Sequence, residues 1–271
     1  MVRDRVGLYA ALAAQGFRRY ATYRAATWAG IFTNSVFGVI LAYTYIALWS
    51  QRPHLGGYGV AEALTYVWVA QGLIMPTGLF GAVMVQDAAQ RVRTGAVAID
   101  LYRPTRLLGW RLAEDLGRAA YHLLTRGLMP AVVGLLLFHL AIPERGITYV
   151  WFAVSMVLAV VVGFGLRYLV GLIAFWVIDI QGYVTLLFAS SMFFSGMVLP
   201  LVVFPGWLGT AADLLPFRCL IQIPNDVLLS DHTGTAIAPL LGVQLVWSAV
   251  LLLSGRLVTD LAVRKVVVQG G

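Results

Sequence analysis

Long runs of apolar residues alternate with short polar segments along the whole chain. Six of the runs are long enough to cross a membrane, because about 20 apolar residues span a hydrocarbon core of about 30 Å. The six predicted spans cover residues 25–49, 63–85, 119–141, 147–176, 183–203 and 236–258. In the second of them, Pro76 predicts a kink that neighbouring helices must support. The pattern therefore predicts an all-α membrane protein with a single transmembrane domain over residues 1–271.

Three further segments have their own patterns. Residues 1–24 combine five arginines with a rough apolar side, which is typical of a helix lying along the lipid headgroups. Residues 86–118 form the longest polar segment that faces the same side as this helix, and they hold six arginines. Residues 204–235 are apolar, but prolines interrupt them, so no continuous helix can form there. We expect short outer helices that re-enter the membrane, supported by protein contacts.

The distribution of positive charge predicts the orientation of the chain. Thirteen of the arginine and lysine side chains fall in residues 1–24, 86–118, 177–182 and 259–271. Only three fall in the segments on the other side, and basic connections remain in the cytoplasm. We therefore expect both termini in the cytoplasm and residues 204–235 outside. One lysine against eighteen arginines suggests a bacterial source, and so a multi-pass protein of the bacterial cell membrane.

Composition supports this class and excludes others. The chain is 60% hydrophobic and 11% charged, whereas soluble domains carry about 25% charged residues. The net charge of +7 lies mostly in short connections, so we expect a lipid membrane as partner and no nucleic acid. Cys219 is the only cysteine, which excludes an internal disulfide and a multi-cysteine metal site.

Catalytic motifs are missing from the sequence. A nucleotide-binding P-loop needs a Gly-Lys-Ser/Thr sequence, and Lys265 is the only lysine. The histidines show no HExxH spacing, and Gly-x-Ser-x-Gly does not occur. We expect no catalytic, metal or cofactor site on this chain. No acidic residue falls in the middle of a predicted span, which argues against a proton- or sodium-coupled carrier.

Arg126 and Arg167 are charged residues inside predicted spans. Both lie toward the inner ends, so their side chains can extend to the cytoplasmic interface. Alternatively, they form a polar wall lining an inward-facing cavity, or they pair with Asp179 or Glu114.

Several segments resemble the type-2 ABC exporter permeases. They are LYRP at residues 101–104, FFSGMVLPLVVFPGWL at 193–208, LPFR at 215–218 and IPNDVLL at 223–229. The C-terminal VVVQGG resembles a subgroup of drug- and viologen-type export permeases. The resemblance implies a dimeric membrane domain, made of two copies or of two related permeases. It also implies a separate ATPase dimer that holds ATP and Mg²⁺.

The resemblance and the local pattern together give two candidate sites. The first is a coupling helix that starts near Pro104 and contacts the ATPase, and its residues are Arg103, Pro104, Arg106, Leu107, Leu108 and Arg111. An ordinary amphipathic interfacial helix is the alternative. The second is an outer gate that comprises Gly196, Pro200, Pro205, Trp207, Pro216, Phe217 and Arg218. Its aromatic and basic side chains would serve equally as membrane-interface anchors.

Three functions remain open at this stage. The first is the non-catalytic permease subunit of an ATP-driven exporter that moves a hydrophobic or amphiphilic substrate, such as a drug, a lipid or a natural product. The second is an ATP-independent channel or secondary carrier. The third is a membrane scaffold subunit without transport. A co-purifying ATPase distinguishes the first from the others.

Overall fold

The part of the chain that the computed structural model describes, residues 2–102 and 106–264, consists mainly of helices joined by turns and irregular stretches. Lys265, the C-terminal VVVQGG, Arg103 and Pro104 lie outside the described residues. The α-helices are α1 (Val2–Ala21), α2 (Arg24–Gln51), α3 (Val60–Leu73), α4 (Ala82–Arg93), α5 (Val97–Leu101), α6 (Leu107–His122), α7 (Leu128–Leu137), α8 (Gly146–Leu172), α9 (Gln181–Phe194), α10 (Gly206–Leu214), α11 (Gln222–Leu228), α12 (Ser230–Thr233) and α13 (Ile237–Val263). A single π-helical turn, Leu123–Gly127, joins α6 to α7 without a break.

Within residues 2–102 and 106–264, four helical segments are long and apolar enough to cross a membrane. They are Arg24–Gln51, Leu107–Leu137, Gly146–Phe175 and Ile237–Val263. These segments contain most of the predicted spans 25–49, 119–141, 147–176 and 236–258. The third of the predicted spans starts earlier than expected, because α6 continues directly into it. The polar residues 107–118 are thus the first part of a long helix that also contains the apolar residues.

The other two predicted spans are interrupted. The span 63–85 consists of α3, an irregular stretch and α4, and the span 183–203 consists of α9 followed by turns. Helices α3 and α9 have 14 residues each, or about 21 Å at 1.5 Å per residue, which is shorter than the bilayer core. The predicted kink at Pro76 is in fact an end, since α3 stops at Leu73. The count of six spans stays a prediction.

Helix α1 packs along α6. The two helices approach closely where a glycine of α6 meets the backbone of α1. A Cβ atom at Gly117 would lie 1.8 Å from the carbonyl oxygen of Ala13, so no larger residue fits at this crossing. The amphipathic N-terminal helix is therefore held against the polar half of α6.

The largest apolar core lies between α3, α8, α11 and α13. Its fully buried side chains include Tyr66, Leu220, Ile221 and Ile223. A smaller cluster of Phe164, Tyr168 and Leu172 on α8 packs near α6. The two cores place α8 at the centre, in contact with both candidate sites.

Candidate functional site

The end of α3 leaves backbone carbonyl groups without helical partners. A helix cannot continue through Pro76, because proline lacks an N–H group and clashes with the preceding turn. The last carbonyls of a helix need other donors. Arg118 donates from Nη1 to the Met75 oxygen at 2.7 Å and from Nη2 to the Pro76 oxygen at 2.9 Å. Arg167 donates from Nη1 to the Thr77 oxygen. Two arginines thus donate to the carbonyl groups of residues 75–77, just after the end of α3.

One carboxylate binds both of these arginines. Asp115 Oδ1 accepts from Arg118 Nε at 2.7 Å, and Asp115 Oδ2 accepts from Arg167 Nη2 at 2.7 Å. Asp115 and Arg167 are each 4% exposed, and Arg118 is also buried. We call these three residues the buried arginine cluster. It joins α6, α8 and the break after α3, and its charges are paired as buried charges must be.

Glycine makes room for the Arg167 side chain. Gly78 has a φ of +70°, which L residues rarely adopt, and a Cβ atom there would lie 1.6 Å from Arg167 Nη1. The turn after α3 therefore depends on Gly78 both for its conformation and for the space that the guanidinium occupies.

A cavity of about 290 Å³ opens beside this turn. It lies between residues 77–81, α8 and α9. Arg167, Thr77, Gln181, Thr185 and Ser191 contribute to its polar lining, while Phe80, Phe188 and Leu220 contribute to its apolar lining. A site with an apolar body and a few polar groups is the usual form of a pocket for a small molecule.

The two arginines of the predicted spans behave differently from each other. The predicted extension of Arg167 to the interface is wrong, because its guanidinium is buried and paired. It lines the cavity, as one alternative stated, but its carboxylate partner is Asp115 and neither Asp179 nor Glu114. Arg126 is partly exposed, and its Nη2 donates to the Ala26 oxygen at 2.6 Å.

Ion pairs connect α4, α5 and the start of α6. Arg91 binds Asp100 through two hydrogen bonds of 2.6 and 2.7 Å, and this hydrogen bonding raises the pKa of Arg91. Arg111 lies 3.3 Å from Asp87 and 3.5 Å from Asp100. The short helix α5 is thus fixed to its neighbours by charge pairs at its last turn.

The predicted coupling residues do not share one surface. Arg106 is exposed just before α6, while Arg111 lies within the ion-pair network. Leu107 is partly buried. Leu108 packs on the apolar cluster of α8, and its Cδ1 lies 2.9 Å from the Cβ position at Gly255. Leu108 is therefore a packing residue, and we expect Leu108→Asp to disturb the contact between α6 and α8.

Two exposed apolar side chains near α5 were missed by the sequence analysis. Ile99 is 65% exposed and Tyr102 is 83% exposed. They lie between the arginines of the polar segment, where large apolar residues have no packing role in the described chain. The signal was present in the sequence VAIDLY at residues 97–102, since an apolar run inside a basic island is unusual.

The outer region is organised by a buried glutamine that the sequence analysis also missed. Gln222 Oε1 accepts from the Leu201 amide at 2.8 Å and lies 2.9 Å from the Tyr66 hydroxyl. Gln222 Nε2 donates to Asp226 Oδ1 at 2.7 Å, and the Tyr58 hydroxyl donates to the same oxygen at 2.9 Å. Burial raises the pKa of Asp226 to about 6. One side chain thus ties the turn after α9 to α11 and to the α2–α3 loop.

The predicted gate residues surround this network at different depths. Gly196 has a φ of +85° in the turn after α9, and the Tyr66 hydroxyl lies 2.8 Å from its carbonyl oxygen. Arg218 binds Asp213 at 2.6 Å. Of the remaining gate residues, Pro200 and Pro216 are buried, Phe217 is partly buried, and Pro205 and Trp207 are exposed.

Comparison with known proteins identifies the family. No curated protein matches this chain. A family model described as ABC-2 family transporter protein matches residues 35–270, which is most of the chain. The match agrees with the resemblance to type-2 ABC permeases that the sequence motifs indicate. Members of that family are normally non-catalytic membrane subunits, and they work with an ATP-binding subunit. The chain belongs to the ABC-2 family of transporter proteins.

Proposed function

We propose that this chain is the permease subunit of an ATP-driven exporter. In this proposal the chain crosses the membrane six times, with the interrupted helices α3–α4 and α9 completing the set. Both termini lie in the cytoplasm, and the region from α10 to α12 forms short re-entrant helices outside. A second permease copy or a related permease completes the membrane domain, and a separate ATPase dimer holds ATP and Mg²⁺. The family match supports the transport class.

The observation that carries the proposal is the linkage between a docking surface and a cavity. Helix α5 presents Ile99 to solvent, the residue that follows it presents Tyr102, and ion pairs fix α5 to α4 and α6. Helix α6 holds Asp115, which binds Arg167 in the cavity wall. Exposed apolar residues surrounded by charges are typical of protein interaction sites. A partner that moves α5 would thereby act on the cavity.

The cavity suits a hydrophobic or amphiphilic substrate. Its walls are mostly apolar, with a few polar groups beside Arg167. The gating role of the outer region belongs to the same proposal. Gln222 holds the turn after α9, and α9 forms one wall of the cavity, so movement of this turn would open or close the outer end.

A pair of matched variants tests the coupling role. Ile99→Asp places a charge on the exposed face of α5. Ile142→Asp makes the same change at a side chain that is 55% exposed in the turn before α8, which is outside in the proposed topology. We expect Ile99→Asp to weaken co-purification of the ATPase and to reduce coupled export by about tenfold or more, the effect of an interface anchor of at least 1.4 kcal/mol. Ile142→Asp should leave both unchanged.

The ATPase is identified by purifying the transporter from native membranes and analysing every co-purifying chain. Full co-purification and full export in Ile99→Asp would exclude α5 as the coupling contact. Substrate movement by the purified chain in the absence of any ATPase would instead contradict the exporter proposal as a whole.

A further inference from the structure

Arg126 is a membrane-helix cation whose charge has no partner in the described chain. It lies in the π-helical turn between α6 and α7, and such turns are often found at functional sites. Within the described residues its Nη2 donates a hydrogen bond to the Ala26 oxygen, while its Nε is buried without a hydrogen-bond partner. No carboxylate of the described residues lies within ion-pair distance of it. Arg118, two turns earlier on the same helix, has such a partner in Asp115.

Local packing positions this cation on the surface of α2. A Cβ atom at Gly30 would lie 2.1 Å from Arg126 Cζ and 2.5 Å from its Nη2, so the lack of a side chain at Gly30 leaves the space that the guanidinium occupies. The same Nη2 donates to the Ala26 oxygen. Arg126 is partly exposed, so an external ligand can reach it.

The depth of the site matches the headgroup layer of a membrane. Helix α2 has 28 residues, while about 20 cross the hydrocarbon core, so about four residues at each end lie among the headgroups. Ala26 is the third residue of α2. Tyr23 and Trp28 are both exposed nearby in the chain, and such aromatic side chains are enriched at the membrane interface.

The segments of sequence around Arg126 and around α2 contain arginines and no acidic residues. The sequence has no Asp or Glu in residues 5–61, and none in residues 116–143. Arg18, in the last turn of α1, and Arg24, at the start of α2, are exposed. These segments therefore offer Arg126 no carboxylate, and an anion that pairs with its guanidinium has to come from another source.

We propose that Arg126 binds the phosphate group of an anionic phospholipid at the α1–α2 corner. The guanidinium has a planar arrangement of donors that fits a phosphate with two parallel hydrogen bonds. The surplus of arginines at this corner favours a headgroup with a net negative charge over a zwitterionic one. The exposed side chains of Leu124, Leu128 and Met129 provide an apolar surface for the acyl chains. This inference does not depend on the proposed exporter function.

Native mass spectrometry of the purified transporter tests the site. The protein is delipidated and titrated with phosphatidylglycerol, and separately with phosphatidylcholine. In wild type we expect one phosphatidylglycerol per chain that resists removal and binds about tenfold more tightly than phosphatidylcholine. Arg126→Gln should lose this molecule and weaken phosphatidylglycerol binding by about tenfold or more, as expected for loss of a charge-assisted pair. Arg126→Lys should fall between the two, because lysine keeps the charge without the planar fork.

Arg52→Gln is the matched control, because it removes one positive charge at the opposite end of α2. It should bind phosphatidylglycerol as wild type does. Equal loss in Arg52→Gln and Arg126→Gln, or unchanged binding in Arg126→Gln, would overturn the proposal. So would equal affinity of wild type for the two lipids.

A measurement on the unmodified protein covers the case in which Arg126→Gln does not fold. Wild-type transporter is exposed to phosphatidylglycerol that carries a photoreactive group near the headgroup, and the crosslinked peptides are sequenced. We expect crosslinks within residues 24–33 and 122–129. Crosslinks confined to other parts of the chain would refute the site.

Discussion

Replacing Asp115 with asparagine would leave two buried arginines without their shared carboxylate. The side chain keeps its shape, so the change removes charge and little volume. Asp115 binds Arg118 and Arg167, and each arginine also donates to carbonyl oxygens of the break after α3. After the substitution the cluster carries two positive charges and no negative charge. The expected result is destabilisation of the contacts between α6, α8 and the break.

The magnitude follows from burial. Removing one partner of a buried ion pair costs about 3–5 kcal/mol, because the remaining charge is uncompensated. Asp87→Asn provides the comparison: its side chain is 34% exposed and lies 3.3 Å from Arg111 Nη1. This pair is more exposed than the pairs of Asp115, and ion pairs at a surface contribute about 0–1 kcal/mol. We therefore expect Asp115→Asn to lower the free energy of unfolding by at least 2 kcal/mol more than Asp87→Asn, the difference between these two ranges.

The assay is equilibrium unfolding in mixed micelles of a mild detergent and sodium dodecyl sulfate, followed by the fluorescence of the eight tryptophans. Both variants are measured at the same pH and ionic strength as wild type, since salt screens the exposed pair more strongly. Equal unfolding free energies for the two variants would refute the reasoning. The cluster would then not stabilise the junction, and its charges would be compensated in another way.

Two further variants test the outer network and the α1–α6 crossing. The pKa of Asp226 is raised from 3.8 to about 6, so the folded protein holds this proton more tightly than the unfolded chain. The protonated Asp226 therefore stabilises the fold fully below pH 4, and this stabilisation is lost as the pH rises through 6. It amounts to about 3 kcal/mol at most. Asp226→Asn should flatten this part of the plot of unfolding free energy against pH. A profile in Asp226→Asn identical to that of wild type would contradict the assignment. Gly117→Ala should destabilise the protein by about 1–3 kcal/mol through overpacking against Ala13, whereas Gly7→Ala, with open space around it, should be neutral or slightly stabilising in the same unfolding assay.

The sequence predicted the helices whose apolar pattern is continuous. Residues 25–49 and 147–176 contain no internal proline, and each forms one long helix, α2 and α8 with its final turn. Residues 63–85 and 183–203 have similar hydropathy, but their helices end early. Hydropathy does not report where a chain leaves the helical conformation. That depends on Pro76 in one case and on the turn at Gly196 in the other.

The candidate site was predictable only within single helices. Asp115 and Arg118 are three residues apart, so their pairing on one face of α6 follows from helical geometry. The pairing of Asp115 with Arg167 joins residues 52 positions apart, and it depends on how α6 and α8 pack. For the same reason Glu114 and Asp115 could not be distinguished as partners of Arg167. The inward orientation of Leu108 likewise depends on contact with α8.

The contrast between Arg167 and Arg126 shows how the chain handles positive charge within helices that are able to cross a membrane. Arg167 is buried, and Asp115 and the carbonyl oxygen of Thr77 satisfy it, so its charge stabilises the junction of α3, α6 and α8. Arg126 lies on a similar helix, yet the neighbouring segments contain no acidic residue. A neutral donor would suffice to bond the Ala26 carbonyl oxygen, so this contact does not account for the charge of Arg126. That charge argues for an anion supplied by the membrane, while in the buried arginine cluster both arginines share a carboxylate of the chain.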